Sequence, residues 1–362
     1  MPSDSMDDIE LKNIQLQFPT TRTLSKDDPN IQELTVETDR GTLLVAVQGN
    51  RSKPAILTYH DLGLNYVSGF QAFFNYIDMR TLIENFCVYH VNAPGQEPNA
   101  SSLPEDYLYP TMDELAEQLL FVLGYFGLRK VIGFGVGAGA NILARFSLHH
   151  PEKVEALCLI NCVSTTAGWL EWGYQKINTR FLRSKGMTQG VLDYLMWHHF
   201  GRGTEERNHD LIQVYKEYFE HHVNPVNLAL FIDSYIRRSD LNITREAAES
   251  TKRKDMSPTL SMPVMNITGS LSPHVDDTVT LNGRLNPTNS SWMKISDCGM
   301  VLEEQPGKVS EAFRLFLQGQ GYVSDEKKHA QIISAFQTEV TICRPKVLSI
   351  IGLFVIIIAE DL

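Results

Sequence analysis

Apolar and polar positions along the chain alternate with two periods, one typical of strands and one typical of helices. Short apolar runs that end in polar or glycine-rich loops predict buried strands. The alternating segment ELTVETDRGTLLVAVQGN predicts a hairpin with its turn at Asp39–Gly41. Thr111–Leu128 instead has apolar residues at helical spacing, with Thr111 and Glu114 placed as a capping box. Strands that alternate with helices predict an α/β fold, with a mostly parallel sheet covered on both faces. The runs interpreted as core strands are PAILTYHDLG, ENFCVYHVNAPGQ, KVIGF, VEALCLINCV, MPVMNITGSLSP and SWMKISDCGM.

This alternation stops between residues 169 and 259, where successive amphipathic patterns predict helices and no strand intervenes. We therefore expect a helical cap over residues 169–259, inserted into a core formed by residues 31–168 and 260–320. Residues 1–30 are polar and are expected to be a flexible N-terminal segment. Residues 321–362 are expected to form a tail.

Composition narrows the classes of function. The chain has 362 residues, 43% of them hydrophobic, which suffices for one large α/β domain or two ordinary ones. The formal net charge of −11 repels phosphate backbones, so we expect no nucleic-acid partner. Five cysteines form an odd, sparse set rather than a disulfide framework. Together with an acidic N-terminus that has no apolar signal, they favour a cytoplasmic location.

The apolar run VLSIIGLFVIIIA, Val347–Ala359, stands out in the tail. It is shorter than the roughly 18–20 residues that a membrane span needs. Three interpretations remain open: a helix packed on the domain, a segment with weak membrane-surface association, and a variant terminus with no evolved role.

The glycine-rich turn in RKVIGFGVGAGANILARF, Arg129–Phe146, joins a predicted strand to a predicted helix. Gly135, Gly137 and Ala140 fit the dinucleotide-binding pattern G-x-G-x-x-A. That pattern should follow the first strand of a βαβ unit, with an acidic residue about 20 positions later. Here three or four strands precede the turn, and the next strand ends without Asp or Glu, so this interpretation is disfavoured.

The same turn also fits the nucleophile elbow of α/β-hydrolases, a strained turn with small residues on either side of the nucleophile. Gly133–Gly137 matches the pattern and puts Gly135 at the nucleophile position. His60–Gly63 lies where the oxyanion loop belongs, and Asn92–Gln96 matches the Pro-Gly loop after the next strand. Landmarks in this order predict an α/β-hydrolase fold with a helical cap.

The three reactive positions of that fold carry unreactive residues. Gly135 has no oxygen or sulfur at the nucleophile position. Ser272 stands three residues after Gly269, where the acid is expected, and Met300 follows Asp297–Gly299, where the histidine is expected. A triad needs a nucleophile, a base and an orienting acid within hydrogen-bond reach. The sequence therefore predicts a degenerate triad and no hydrolase activity.

Other chemistry-bearing residues do not restore the triad. Asp276 or Asp277 can supply an acid and His274 a base, but neither supplies a nucleophile. Cys298 has no visible activating cation and is interpreted as a structural thiol. The histidine pairs lack metal-ligand spacing, so we interpret them as solvated residues at caps or helix ends and expect no metal or cofactor. The pairs are His149-His150, His198-His199 and His221-His222.

Longer stretches of the sequence resemble the N-myc downstream-regulated (NDRG) family between about Leu34 and Gly319. That resemblance implies an α/β-hydrolase-like, non-catalytic, cytoplasmic protein connected with stress response, growth control, differentiation and signalling. The family tends to end in a polar, phosphorylatable tail, so the apolar end of this chain puts tail phosphorylation in doubt. The stretches are ILTYHDLGLNY, NAPGQE, LPEDYLYPTMDELAEQL, VIGFGVGAGANIL, CLINC, GWLEWGYQK and LDYLMWHHFG.

These observations predict a regulatory or adaptor protein with protein partners that the sequence does not identify. Backbone N–H groups near Val136 open a helix, so we expect a vestigial pocket that binds a small carboxylate there. Two alternatives stay open: a hydrolase-fold enzyme that uses non-standard catalytic groups, and a membrane-trafficking adaptor helped by residues 347–359. The expected pocket residues are His60, Asp61, Gly135, Val136, Ser272 and Met300.

Overall fold

The computed structural model describes residues 31–201, 208–245 and 258–322 of the chain. Eight strands form one sheet in the order β1-β2-β4-β3-β5-β6-β7-β8. The β1–β2 and β2–β4 pairs are antiparallel, and the remaining neighbours are parallel. The predicted α/β class with a mostly parallel sheet is confirmed. The strands are β1 (Ile31–Thr38), β2 (Gly41–Gly49), β3 (Ala55–Tyr59), β4 (Cys87–Val91), β5 (Val131–Val136), β6 (Val154–Ile160), β7 (Val264–Gly269) and β8 (Ser290–Ile295).

The helices of the described residues follow the predicted alternation. A π-helical turn, Val67–Gln71, leads into α1, and a 3-10 turn, Pro151–Lys153, follows α4. The α-helices are α1 (Ala72–Phe74), α2 (Ile77–Ile83), α3 (Met112–Phe126), α4 (Ala138–His149), α5 (Trp169–Lys185), α6 (Gln189–Phe200), α7 (His209–His222), α8 (Pro225–Tyr235), α9 (Val275–Arg284), α10 (Val301–Glu304) and α11 (Pro306–Gly319). None of the helices in the described ranges is long and apolar enough to cross a membrane.

Local sequence signals set the ends of several elements. The hairpin predicted at Asp39–Gly41 joins β1 to β2, with Thr38 paired to Gly41. The capping box of α3 is present: the Thr111 hydroxyl accepts the Glu114 N–H at 3.2 Å, and the Glu114 carboxylate accepts the Thr111 N–H at 2.8 Å. Gly127 ends α3 in the left-handed conformation that glycine adopts most readily.

Helix α4 lies against the sheet almost wholly buried, and its first turn comes very close to the neighbouring strands. A Cβ on Gly139 would overlap the carbonyl oxygen of Tyr59 at the end of β3. Only glycine allows this approach, which brings the start of α4 against the loop that follows β3.

Four helices, α5 to α8, lie between β6 and β7 in the region predicted to be a cap. Helix α5 packs on α8, and α6 packs on α7. Arg145, buried in α4, donates hydrogen bonds to Asp113 and to Ser239 beyond α8, which connects the helical layer to the core. The cap boundary near residue 259, the N-terminal segment and the apolar run 347–359 concern residues largely outside the described ranges, so those predictions remain untested.

Candidate functional site

The strand-to-helix turn between β5 and α4 is centred on Gly137. This residue has φ 53° and ψ −115°, a conformation that residues with a side chain adopt only under strain. A nucleophile elbow places its nucleophile in such a strained turn. The elbow pattern is therefore Gly135–Gly139, with Gly137 at the nucleophile position.

This geometry corrects the sequence interpretation, which put the nucleophile position at Gly135. Glycines at 133, 135, 137 and 139 repeat every second residue, so the small-x-x-x-small pattern fits two registers equally well. Gly135 is a strand residue of β5, paired to Tyr59 and Leu159. The backbone dihedral angles distinguish the registers, and residue types alone do not.

Gly135→Ser is expected to lower the free energy of unfolding by about 1–3 kcal/mol, the range for overpacking a close-packed site. A Cβ there would lie 2.7 Å from the Cα and 2.8 Å from the nitrogen of Ala140, which are backbone atoms of α4. Urea unfolding measures the change, and Gly124→Ser is the control because its added Cβ meets nothing within 4 Å apart from its chain neighbours and the backbone of its own helix. Equal stability of the two variants would contradict the predicted clash.

The carboxylate of Asp61 occupies the space in front of the turn. Its Oδ1 accepts hydrogen bonds from the Leu62 N–H at 2.8 Å and the Ala138 N–H at 2.9 Å. In a hydrolase, an N–H of this loop and the N–H after the nucleophile together form the oxyanion hole. A Cβ on Gly137 would overlap the same carboxylate. Asp61 therefore fills both the anion position and the volume of a nucleophile side chain.

This placement also corrects the expected pocket for a small carboxylate. The two N–H groups that such a ligand needs already donate to the Asp61 side chain, which is buried. The N–H groups at this turn do bind an anion, but that anion is the Asp61 carboxylate of the same chain.

Two histidines of α6 complete the polar cluster around Asp61. The Nε2 of His198 lies 2.9 Å from Asp61 Oδ2, and the Nδ1 of His199 lies 3.7 Å from the same oxygen. The Nε2–H of His199 donates to the carbonyl oxygen of Leu62 at 2.9 Å. The prediction of solvated histidines is therefore wrong for this pair, because both side chains are buried. The two histidines are visible in the segment MWHHFG, but no residue near them in the sequence shows that α6 packs against the loop after β3.

The charge states in the cluster follow from burial and neighbours. Burial alone would raise the pKa of Asp61, but His198, His199 and the Ala138 N–H outweigh it and hold the pKa well below its ordinary range. Burial, reinforced by His198, lowers the pKa of His199 to about 4. Near neutral pH, Asp61 is therefore ionised and His199 is neutral.

A third histidine extends the cluster towards the surface. His274 Nε2 lies 3.2 Å from the Nδ1 of His198, and His274 Nδ1 lies 4.0 Å from a carboxylate oxygen of Asp277. The Tyr194 hydroxyl also approaches His198 Nδ1, at 3.3 Å. Burial, reinforced by His198, lowers the pKa of His274 to about 3, and burial raises the pKa of Asp277. The row Asp61–His198–His274 thus connects the elbow to the loop after β7.

The remaining predicted pocket residues have local structural contacts. His60 is fully buried, donates from Nδ1 to the Asp61 carbonyl at 2.8 Å and accepts the Ala93 N–H at 2.9 Å. Burial lowers its pKa to about 4. The Ser272 hydroxyl accepts the His274 N–H at 3.2 Å. The Met300 N–H donates to the Glu304 carboxylate at 2.8 Å.

Two cavities adjoin this cluster. The smaller encloses about 20 Å³, room for one water molecule or ion, and is lined in part by His60, Asp61, Val136 and Met300. Gly135 and Ser272, which were predicted to share that pocket, are not among its lining residues. The larger encloses about 520 Å³, a size typical of ligand sites. Its lining includes Glu171, Tyr174, Tyr194, Trp197, Arg238 and His274.

The chain is similar in sequence to known proteins over most of its length. The sequence model of the Ndr family matches residues 33–324. Protein NDRG3 of Xenopus laevis is 40% identical over 323 residues, which cover 87% of this chain and 84% of the relative. Protein NDRG1 of Xenopus tropicalis is 41% identical over 295 residues, which cover 81% of this chain and 72% of the relative.

An esterase and a hydrolase of low sequence identity are among the solved structures of similar fold. A malate-bound thermophilic esterase from Thermogutta terrifontis superposes with a TM-score of 0.64 at 18% identity, covering 80% of this chain and 98% of the esterase. A hydrolase from Pseudomonas aeruginosa superposes with a TM-score of 0.62 at 17% identity, covering 80% of this chain and 99% of the hydrolase. At these identities the likeness shows the α/β-hydrolase fold, which confirms the predicted fold.

Proposed function

The chain belongs to the Ndr family, and we propose that it acts as a non-enzymatic regulatory or adaptor protein of the cytoplasm. We propose that it acts in signalling, stress response, growth control and differentiation. One observation carries the non-enzymatic part of the proposal: the Asp61 carboxylate fills the oxyanion hole at an elbow whose central residue is Gly137.

Acyl transfer at this elbow would need a nucleophile and two free N–H donors. Gly137 supplies no nucleophile, and Leu62 and Ala138 donate to a buried carboxylate of the same chain. Displacing that carboxylate would also break its contact with His198. The fold of a hydrolase is thus retained with its reaction site internally closed.

A binding function needs an accessible surface, and the first turns of α5 offer one. Trp169 and Leu170 are each 91% exposed, and Trp172, Tyr174 and Ile177 are also exposed. Large aromatic side chains at the surface are typical of protein–protein contact sites. We therefore propose that partners contact the N-terminal half of α5.

A second candidate function is an enzyme that uses non-standard groups. The observation that favours it is the Asp61–His198–His274 row, which reaches the cavity of about 520 Å³. A paired carboxylate and histidine can transfer protons. In that case activity would depend on His198 and His274, not on the elbow.

Assays of the purified full-length chain separate the two candidates. We expect no hydrolysis of p-nitrophenyl esters above the rate of a heat-denatured sample, and no labelling by a fluorophosphonate probe. The reason is that no nucleophile faces the oxyanion position. Ester turnover that disappears in His198→Gln but persists in the exposed-site control His149→Gln would overturn the non-enzymatic proposal.

The partner surface is tested separately in cells. Proximity labelling with a Trp169→Ser, Leu170→Ser double variant is compared with the wild type and with Leu108→Ser, an exposed leucine outside α5. The proposal expects a set of neighbours that is lost only in the α5 variant. An unchanged set of neighbours would remove α5 as the contact surface.

A further inference from the structure

The cluster around Asp61 has the composition and spacing of a metal site. Among the described residues, Asp61, His198 and His199 are the group of three whose candidate ligand atoms all lie within 4.8 Å of one another. All three side chains are buried. The carboxylate comes from the loop after β3 and both imidazoles come from α6, so the group bridges two elements that are distant in sequence.

The hydrogen bond from His199 to Leu62 fixes which ring nitrogen faces Asp61. The carbonyl oxygen of Leu62 can only accept, so the Nε2 of His199 carries the hydrogen. The other ring nitrogen, Nδ1, is thereby turned towards Asp61 and lies 3.7 Å from its Oδ2. Two atoms that each bind one Zn²⁺ at about 2.0–2.2 Å lie at most about 4.4 Å apart, so both of these atoms can reach the same ion.

The hydrogen-bond partners of His198 are those expected of a metal-binding histidine. Metal-bound histidines almost always have their second ring nitrogen held by a hydrogen-bond partner. The Nδ1 of His198 has two such partners, Tyr194 at 3.3 Å and His274 at 3.2 Å, and His274 lies next to Asp277. The Nε2 of His198 is the nitrogen that faces Asp61.

The two oxygens of the Asp61 carboxylate contact different groups. Oδ1 of Asp61 accepts two backbone N–H groups, which fixes the side chain, and Oδ2 faces both histidines. A cavity of about 20 Å³ beside these atoms is lined by Asp61, His198 and His199 among others and has room for one small occupant. Two imidazoles and one carboxylate with room for a further ligand are the donor set of tetrahedral zinc sites.

We infer that Asp61 Oδ2, His198 Nε2 and His199 Nδ1 bind one divalent transition-metal ion of the zinc type. The ion neutralises the buried carboxylate and joins α6 of the cap region to the loop after β3. This site does not depend on the proposed adaptor function, since it makes no claim about partners or turnover.

Zinc binding to the full-length protein tests the inference directly. The chain is stripped with a chelator, desalted and titrated with Zn²⁺ in competition with a chromophoric chelator, and Co²⁺ is used to record the absorption bands of tetrahedral coordination. We expect one tight site per chain. His199→Gln keeps an N–H donor for Leu62 but removes the ligand. It is expected to weaken Zn²⁺ binding by about 100-fold or more, since losing only a hydrogen-bond partner of a metal ligand costs about 10–100-fold.

Two further variants keep the result interpretable. Glu117→Gln alters the partly exposed cluster in which Glu117 contacts His149 and His150, and it should leave the tight site unchanged. His274→Gln removes a partner of His198 and should weaken binding about 10-fold. The inference is overturned if the folded wild type binds no Zn²⁺, if His199→Gln retains the tight site, or if Glu117→Gln loses it.

Discussion

Gly137→Ala is expected to lower the free energy of unfolding by at least about 4 kcal/mol, because it combines two costs. The backbone conformation of φ 53°, ψ −115° costs a residue with a Cβ about 1–3 kcal/mol. The new methyl group would also overlap the Asp61 carboxylate, which must leave its buried hydrogen bonds. Leaving a buried charge without its partners costs about 3–5 kcal/mol. Urea unfolding at pH 7 measures the change.

Asp61→Gly is expected to reduce the cost of Gly137→Ala, since it removes the side chain that the methyl group displaces. In a double-mutant cycle, the two substitutions should show a favourable coupling of about 2 kcal/mol, within the range found for residues in contact. The cycle of Asp61→Gly with Gly124→Ala is the control and should be additive, because an added Cβ on Gly124 meets nothing within 4 Å apart from its chain neighbours and the backbone of its own helix. Additivity in both cycles would show that the carboxylate does not occupy the nucleophile volume.

Acidification from pH 7 to pH 5 is expected to destabilise the metal-free protein by about 2 kcal/mol for each of four buried histidines. Burial, in each case the largest cause, lowers the pKa of His60 and His199 to about 4 and that of His90 and His274 to about 3. In the unfolded chain each pKa is about 6.5, so the unfolded state binds more protons between pH 6.5 and 4. Stability therefore rises with pH in that window and is lost as the pH falls through it.

Asp61 adds to the acid sensitivity at lower pH. Its pKa is depressed in the folded protein, so its contribution is present above the unfolded value of about 4 and is lost as the pH falls further. Because domains are stable by only about 5–15 kcal/mol, cooperative unfolding is expected between about pH 4 and 6.

Urea unfolding across this pH range tests the assignment. His274→Gln should reduce the stability change between pH 7 and pH 5 by about 2 kcal/mol, since it removes one titrating group. His149→Gln, at an exposed position at the end of α4, should leave the change as it is in the wild type. Equal pH dependence in all three proteins would contradict the buried, neutral state of His274.

The elements of the fold were predictable because local interactions set them. The capping box of Thr111 and Glu114 and the Asp39–Gly41 hairpin are present in the structure. Alternation of strand and helix patterns predicted a mostly parallel sheet, and the order of landmark loops predicted the hydrolase fold. These features depend on side-chain periodicity and turn chemistry within a few residues.

The site was predictable only in outline. Residue types pointed to the correct turn, but Gly135 and Gly137 are equivalent in the pattern, and the nucleophile position depends on dihedral angles. The sequence pattern predicts solvated side chains for His198 and His199, because nothing within their own helix shows which segment packs against it. Their partners, Asp61 and Leu62, lie 137 residues earlier in the chain.

The sequence by itself determined the order of the strands and helices, the glycine-rich elbow and the lack of a side chain at its centre. Only the tertiary structure decided that the Asp61 carboxylate fills that centre and that two histidines of α6 enclose it. The physical reason is the range of the interactions. Hydrogen-bonded turns and apolar periodicity depend on residues within one short segment. The stability of a buried charge depends instead on the groups that long-range packing brings into contact with it.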